Sequence, residues 1–202
     1  MLGKMDCTVE SLKANVASRV SDGRFRHCLG VAQTIDKVLK HYSSPAVFET
    51  WNGVSVSDFC GIGHDIAREV PLDSVLDVCR SRGIIPTETQ TINPVFAHGV
   101  LGASMLEELY GDVPANWLEA ICKHTLGDRN LDDVGLALFV SDFIEPGRKY
   151  LTDADRERYL SEPTLRRCAL AILRDNIKHE VGKGSRIFDE SLRMLTWLEE
   201  DN

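Results

Sequence analysis

The stretch GIGHDIAREVP, residues 61–71, places two side chains that can bind a metal inside an apolar region. His64 stands beside Asp65, and Gly61 and Gly63 come just before them. Within a helix, each glycine costs about 1 kcal/mol of stability relative to alanine. Close approach of another helix or of a ligand would compensate that cost. The stretch therefore predicts a tightly packed site around the His-Asp pair.

Apolar residues recur every three or four positions along most of the chain, which predicts helices. From Phe25 to Tyr42 they form one stripe of an amphipathic helix that carries His27 near its start. Prolines at the entrance and glycines after the last turn delimit further helices. These cover the segments 72–83, 93–111, 114–127, 131–147, 163–180 and 185–200. No alternating strand pattern competes with them, so the predicted fold class is all-α.

Length and composition predict a single globular domain over residues 1–202, with a core at about 20–150 and C-terminal helices at about 160–202 packed against it. The content of 43% hydrophobic and 27% charged residues excludes disordered and fibrous proteins. The net charge of -8 argues against binding to nucleic acid or to anionic membranes.

Cysteine usage and the chain start predict a cytoplasmic protein. The six cysteines are scattered without a C-x-x-C pair, so we expect reduced thiols in a reducing compartment. The start of the chain lacks the apolar segment of a signal peptide, and no apolar run is long enough to span a bilayer.

Six candidate metal ligands stand near helix ends or beside small residues. They are His27, His64, Asp65, His98, His124 and Asp142. A lone histidine is more often a hydrogen-bonded structural residue than a ligand, and we keep that interpretation for His41 and His179. Imidazoles with carboxylates and without thiolates suit iron, manganese, cobalt or zinc, and are too rich in nitrogen for magnesium or calcium.

The order and context of these six residues resemble the HD superfamily of metal-dependent phosphohydrolases. RFRHCLGVA is similar to the motif R-x-x-H-S-L-G-V-A, GHDIARE to L-H-D-I-A-K-E, AHGVLGA to H-G-x-x-G-A, KHTLG to H-T-T-G, and SDFIEPGR to A-D-Y-I-E-P-G-R. Together they resemble the YqeK family, the HD-type symmetrical bis(5'-nucleosyl)-tetraphosphatases. The specific motifs extend from about Arg24 to about Arg148, and a looser likeness reaches the C-terminus.

The resemblance implies an HD-domain helical bundle and a ligand set for one or two ions, iron by family usage, with manganese, cobalt or zinc as alternatives. The first ion would be held by His27, His64, Asp65 and Asp142. Asp65 would bridge to a second ion, whose site His98 and His124 complete. A metal-bound water can have a pKa lowered to about 7, which makes hydroxide available at neutral pH.

The implied reaction is hydrolysis of diadenosine tetraphosphate at its central phosphoanhydride, giving two ADP. The implied catalytic residues are His64, Asp65 and Arg68. Because this substrate is strongly anionic and the protein is acidic, positively charged side chains must lie near the site. The candidates for phosphate contacts are Arg24, Arg68 and Arg148. The full substrate-binding set also includes His27, Asp65, His98, His124, Thr125 and Asp142, with Gly127 as a weaker candidate.

Several alternatives stay open at the level of sequence. The chain departs from the motifs with FCGIG before the pair, with Arg68 in place of lysine and with Leu126 in place of threonine. None of these changes removes a ligand, but preference among dinucleoside polyphosphates becomes uncertain. An HD phosphohydrolase acting on another nucleotide, such as a monophosphatase or phosphodiesterase, is the main rival. A non-enzymatic nucleotide-binding protein or a purely structural metal is weaker, and the oligomeric state, including a homodimer, is undetermined.

Overall fold

The computed structural model describes residues 4–200, which form eleven α-helices, two short 3₁₀ helices and a small hairpin. The α-helices are α1 (Val9–Ala17), α2 (Asp22–His41), α3 (Val56–Gly63), α4 (Val75–Ser81), α5 (Glu88–Ile92), α6 (His98–Tyr110), α7 (Ala115–Lys123), α8 (Asp133–Ile144), α9 (Asp153–Leu160), α10 (Leu165–Gly182) and α11 (Asp189–Glu200). The 3₁₀ helices are Pro45–Phe48 and Pro94–Ala97, and the strands are β1 (Thr50–Trp51) and β2 (Val54–Ser55). The predicted all-α fold is confirmed.

Helices α2 and α8 form the middle of the bundle. The hydroxyl of Ser21 caps the start of α2, and the apolar stripe of α2 packs against α3 and α8. Residues 134–141 of α8 are all buried, as expected for a helix that is apolar on every side. Helix α6 packs against α7, and α7 packs against α3 and α8. The five helices that carry the candidate ligands or lead directly into them are therefore neighbours.

The C-terminal helices pack on this bundle as predicted. Helix α10 lies against α8, and α11 lies against α10. Buried side chains of both helices, including Leu173 and Met194, belong to the main hydrophobic core. A smaller core lies under α4 and is centred on Ala67 and Leu101.

Some local features differ from the sequence predictions. The segment 64–70 forms tight turns instead of continuing α3, because its amides bond three residues back, as Ile66 N–H does to Gly63 O at 3.1 Å. Residues 94–97 form a 3₁₀ turn that Asn93 caps, so α6 begins at His98 itself. The β1–β2 hairpin and the helices α1, α5 and α9 lie outside the predicted helix segments.

Three further sequence expectations concern the cysteines, a membrane-spanning helix and the role of His41. All six cysteines are free thiols, and five of them are buried. Among residues 4–200, no helix is both long and apolar enough to cross a lipid bilayer. The Nε2–H of His41 donates a hydrogen bond to the carbonyl oxygen of Leu160 at 2.8 Å, in keeping with the structural interpretation of this residue.

Candidate metal centre

The fold brings all six predicted ligands into one cluster. His27 projects from α2, His64 caps the end of α3 and Asp65 follows it. His98 opens α6, His124 caps the end of α7, and Asp142 lies on α8. Ligand atoms lie within 4.8 Å of one another in two groups: His27, His64 and Asp142 in the first, and Asp65, His98 and His124 in the second. We call these six residues the HD cluster.

Glycines let the helices that carry the cluster approach one another. A Cβ added to Gly61 would lie 2.3 Å from Cα and 2.5 Å from N of Ala32, so α3 touches the backbone of α2 there. A Cβ on Gly99 would lie 2.7 Å from the carbonyl oxygen of Cys122, so α6 touches α7 equally closely. At Gly61, the close contact between helices α2 and α3 is thus the compensation that we predicted for the loss of helix stability caused by glycine.

Asp65 lies at the centre of the cluster and turns one oxygen to each half. Its Oδ2 lies 3.4 Å from Nε2 of His64 and 3.9 Å from Nε2 of His27. Its Oδ1 lies 3.3 Å from Nε2 of His98 and 3.7 Å from Nε2 of His124. A carboxylate in this position can bridge two cations, one on each side.

All four histidines are anchored through Nδ1 and present Nε2 to the centre. The Nδ1–H groups of three of them donate to carbonyl oxygens one turn earlier: His64 to Gly61 at 2.8 Å, His98 to Val95 at 2.5 Å and His124 to Ile121 at 2.7 Å. His27 Nδ1 lies 3.0 Å from Oε1 of Glu145. Because carbonyl oxygens only accept hydrogen bonds, Nδ1 carries a proton, so the Nε2 lone pair of the neutral ring points inward, where it can bind a metal.

The inward nitrogens fit a cation better than they fit one another. Nε2 of His98 and Nε2 of His124 are only 3.1 Å apart, so two neutral rings would oppose their lone pairs. Nε2 of His64 is fully buried and has no hydrogen-bond partner among residues 4–200. Buried polar atoms are rarely left unpaired. A metal ion within reach of these nitrogens would satisfy all three.

The two carboxylates are held in the ionised form that metal binding needs. Burial raises the pKa of Asp65, but positive charge on the surrounding imidazole rings, with His64 contributing most, outweighs burial and holds that pKa well below 3.8. A metal bound to the neutral rings would supply positive charge in its place. Burial likewise raises the pKa of Asp142, but a protonated His27 ring and the other positive charges nearby, including Arg148, outweigh burial and lower that pKa below its usual range. Burial also lowers the pKa of His98, which favours its neutral, ligating form.

One cysteine lies beside the cluster. The sulfur of Cys28 is within 4.8 Å of ligand atoms of His64 and Asp65. Burial, followed by the nearby Asp65 charge, raises the pKa of this thiol far above its ordinary value. The thiol therefore stays protonated and apolar in character, in keeping with the reduced thiols expected from the sequence.

Two of the three predicted arginines contact the cluster carboxylates. Nη1 of Arg24 donates to Oδ2 of Asp65 at 2.9 Å. Arg148 pairs with the carboxylate of Asp142, and its Nε–H donates to the Asp142 carbonyl oxygen at 2.8 Å. Both side chains are 26% exposed, so they lie at the solvent edge of the centre. Arg68 is half-buried and forms no ion pair within the described part of the chain, so its predicted role stays a prediction.

Known proteins similar to this chain point to one enzyme class. The chain is 22% identical to the symmetrical bis(5'-nucleosyl)-tetraphosphatase of Bacillus subtilis over 189 residues, which cover 94% of this chain and 96% of that protein. It is also 22% identical to the protein of the same name from Staphylococcus aureus over 190 residues, which cover 94% and 93% of the two chains. No protein-family profile matches the chain.

A solved structure from Clostridium acetobutylicum matches almost the whole chain. It is described as a predicted HD superfamily hydrolase involved in NAD metabolism. The TM-score is 0.84 at 21% sequence identity, and the match covers 99% of this chain and 100% of that one. This chain has the HD-superfamily fold. Its predicted resemblance to the symmetrical bis(5'-nucleosyl)-tetraphosphatases is confirmed by the two curated relatives.

The HD fold positions one further residue that the sequence analysis missed. Glu145 is 4% exposed, and its Oε1 lies 3.0 Å from Nδ1 of His27. Its Oε2 accepts a hydrogen bond from the backbone N–H of Gly147 at 2.6 Å. Gly30 leaves the space for this carboxylate, since a Cβ there would lie 2.8 Å from Oε2. Glu145 stands inside the motif IEPGR, so the signal was present, but only the fold shows which histidine it orients.

Thr125 and Gly127, which follow His124, have different roles in the structure. The hydroxyl of Thr125 lies 3.2 Å from Nε2 of His98 and 3.1 Å from Nε2 of His124, at the edge of the HD cluster. Gly127 has a positive φ of 69°, and a Cβ there would overlap Sδ of Met194 at 1.9 Å. The absence of a side chain at Gly127 thus allows α11 to pack closely.

Proposed function

We propose that this chain is a metal-dependent hydrolase that cleaves diadenosine tetraphosphate symmetrically into two ADP. One observation carries the proposal: the Nε2 atoms of four anchored histidines converge on the two oxygens of Asp65. The similarity to symmetrical bis(5'-nucleosyl)-tetraphosphatases over nearly the full chain supports this substrate in preference to another nucleotide.

The HD cluster would hold one or two divalent ions, and we propose iron. His27, His64 and Asp142 would hold the first ion, and His98 with His124 the second, with Asp65 shared between them. When bound, such metals lower the pKa of a coordinated water and offset negative charge on phosphoryl oxygens. The nitrogen-rich donor set supports iron, manganese, cobalt or zinc over magnesium.

The protein's own groups would hold the ligands and orient the substrate. Glu145 keeps the ring of His27 in place and its Nδ1 protonated, which leaves Nε2 free to ligate. Arg24 and Arg148 each pair with a carboxylate through one N–H donor, which would leave other donors for phosphate oxygens. Hydrolysis adds one water: its oxygen bonds to a central phosphorus, the central P–O–P bridge breaks, and the leaving ADP takes up the proton.

Product analysis tests the proposal. Purified protein of measured metal content is mixed with diadenosine tetraphosphate, and the nucleotides are separated by chromatography. ADP as the sole product is the expected result. AMP with ATP would mean asymmetric cleavage and a differently placed substrate. No turnover by metal-loaded protein would favour another phosphate ester or a binding role.

The identity of the metal is tested separately from the reaction. Elemental analysis of protein purified without added metal, followed by reconstitution with each candidate ion, should give the highest turnover with iron. We also propose a cytoplasmic location, which the six free thiols support because they suit a reducing compartment. The acidic net charge supports a small-molecule substrate over nucleic acid or membrane as the partner.

A further inference from the structure

A cavity of about 460 Å³ lies beside the HD cluster. It is lined by the 3₁₀ helix before α6, by α8 and α10, and by the segment that joins α10 to α11. The lining includes Phe96, Phe139, Ile177 and Phe188, and we call it the Phe188 cavity. Its volume lies within the roughly 300–1,000 Å³ typical of small-molecule sites.

The Phe188 cavity reaches the metal centre through shared residues. Thr125 lines the cavity, and its hydroxyl lies 3.1 Å from Nε2 of His124. Phe139 also lines the cavity and lies three residues, about one helical turn, before Asp142 on α8. A ligand whose phosphates contact the cluster can therefore extend its next chemical group into the cavity.

The lining chemistry suits a flat, neutral, aromatic group. The rings of Phe96 and Phe188 meet edge to face with centroids 5.1 Å apart, and the guanidinium of Arg186 lies 5.5 Å from the Phe188 ring centre. Aromatic and arginine side chains of this kind stack on nucleobases. The carboxylate of Glu180 also lines the cavity and would repel phosphate, so the charged part of a ligand must lie outside it.

The side-chain amide of Asn176, which lines the cavity, is available to hydrogen-bond a ligand. The amide of Asn176 is half-buried and makes no hydrogen bond with any residue from 4 to 200. A side-chain amide presents one acceptor and two donors, which match the edge of adenine.

We propose that the Phe188 cavity binds the purine base of one nucleoside of the substrate, with Phe188 stacking on the base and Asn176 contacting its edge. This inference rests on the proposed function, because a base site next to the reacting phosphates presupposes a nucleotide substrate. It also gives α10 and the α10–α11 segment a part in substrate recognition.

Steady-state kinetics of the metal-loaded full-length protein test this placement. Phe188→Ala should raise the KM for diadenosine tetraphosphate and the inhibition constant of ADP by roughly tenfold, with kcat nearly unchanged. The inhibition constant of inorganic pyrophosphate, which lacks a base, should not change. Phe48→Ala is the matched control, because Phe48 is 83% exposed and lies outside the cavity. An unchanged KM in Phe188→Ala would overturn the proposal, as would equal weakening of ADP and pyrophosphate.

A second variant tests recognition of the base edge. Asn176→Ala should bring the kcat/KM ratio between diadenosine and diguanosine tetraphosphate closer to one, because the edge contact is lost. An unchanged ratio would exclude that role for Asn176. Thermal unfolding of both variants checks that they fold.

The failure of the proposed function would be recognised separately. If wild-type protein makes no ADP from diadenosine tetraphosphate, the function fails, and the cavity is judged by calorimetric binding of ADP alone. Weaker ADP binding in Phe188→Ala than in Phe48→Ala would still support a base site. Equal binding, or no ADP binding by either protein, would refute it.

Discussion

Replacing Gly61 by alanine tests whether the contact between α2 and α3 sets the geometry of the metal centre. The added Cβ would lie 2.3 Å from Cα of Ala32, whereas ordinary van der Waals contact begins at 3.4 Å. The shortfall is 3.4 minus 2.3, or 1.1 Å, and it is measured to backbone, which cannot rotate away. The two helices must therefore separate or shift by about 1 Å.

The shift has a cost in stability and a cost in function. Overpacking of a close-packed core costs about 1–3 kcal/mol, and a clash with backbone belongs near the upper value. Alanine recovers about 1 kcal/mol of helix propensity, so the net loss should be about 2 kcal/mol. Because His27 lies on α2 and His64 ends α3, the same shift misplaces the first metal triad. A displacement of about 1 Å can reduce turnover on the order of a hundredfold.

Urea denaturation of the metal-free protein and turnover of the metal-loaded protein measure the two effects. Gly182→Ala is the control, because Gly182 ends α10 and a Cβ there meets nothing within 4 Å. That control should be as stable as the wild type or more stable by no more than about 1 kcal/mol. If Gly61→Ala matches the control in stability and the wild type in turnover, the packing argument is wrong.

Four other changes give separate tests. Asp65→Ala should abolish turnover through metal loss, and elemental analysis of the purified variant checks it; a variant that keeps both metal and activity would contradict the bridging role. Glu145→Gln should weaken metal binding by roughly 10–100-fold, measured against a competing chelator, because the histidine that it orients loses its anionic partner; unchanged affinity would mean that orientation is set elsewhere. Arg148→Ala should chiefly raise KM, measured with diadenosine tetraphosphate, and a fall in kcat alone would refute a role in binding. Hydrogen bonds from the hydroxyl and N–H of Ser21, both 2.7 Å, lower the pKa of Glu69 below 4.5. A carboxylate whose pKa is lower in the folded state than in the unfolded state stabilises the fold at pH values above the unfolded-state pKa, and this stabilisation is lost as the pH falls. The difference in unfolding free energy between wild type and Glu69→Gln should therefore become smaller below about pH 4.5. A difference that does not change with pH would count against this contact.

Features with local causes could be predicted from the sequence. The apolar run of α8 is buried on all sides, and the proline at the start of the α6 region and the glycine after α6 mark real boundaries. The hairpin was missed although its signal was present. Asn52 and Gly53 both have positive φ, of 51° and 78°, which is the Asn-Gly turn that two-residue hairpins prefer. Strands of two residues are too short for an alternating pattern to predict.

Features that depend on contacts between distant segments could not be predicted. Glu145 meets His27 across 118 positions of sequence, and no local pattern specifies that pairing. The Phe188 cavity likewise requires the known placement of α10 and of the segment before α11. The six candidate metal ligands could be proposed only because their motifs resemble a known family, since spacing along the chain does not show that six side chains meet.

The distribution of charge explains how an acidic chain can bind a polyphosphate. With a net charge of -8, the protein as a whole repels such a ligand, so attraction must come from nearby cations. Arg24 and Arg148 lie at the solvent edge of the centre and pair with its two carboxylates, while Arg68 has no ion-pair partner among residues 4–200. Each guanidinium has five N–H donors, so a pair with a carboxylate leaves donors for phosphate. The same arginines can thus fix the carboxylates and contact the substrate, and lysine, with its single point charge, would not serve both purposes equally well.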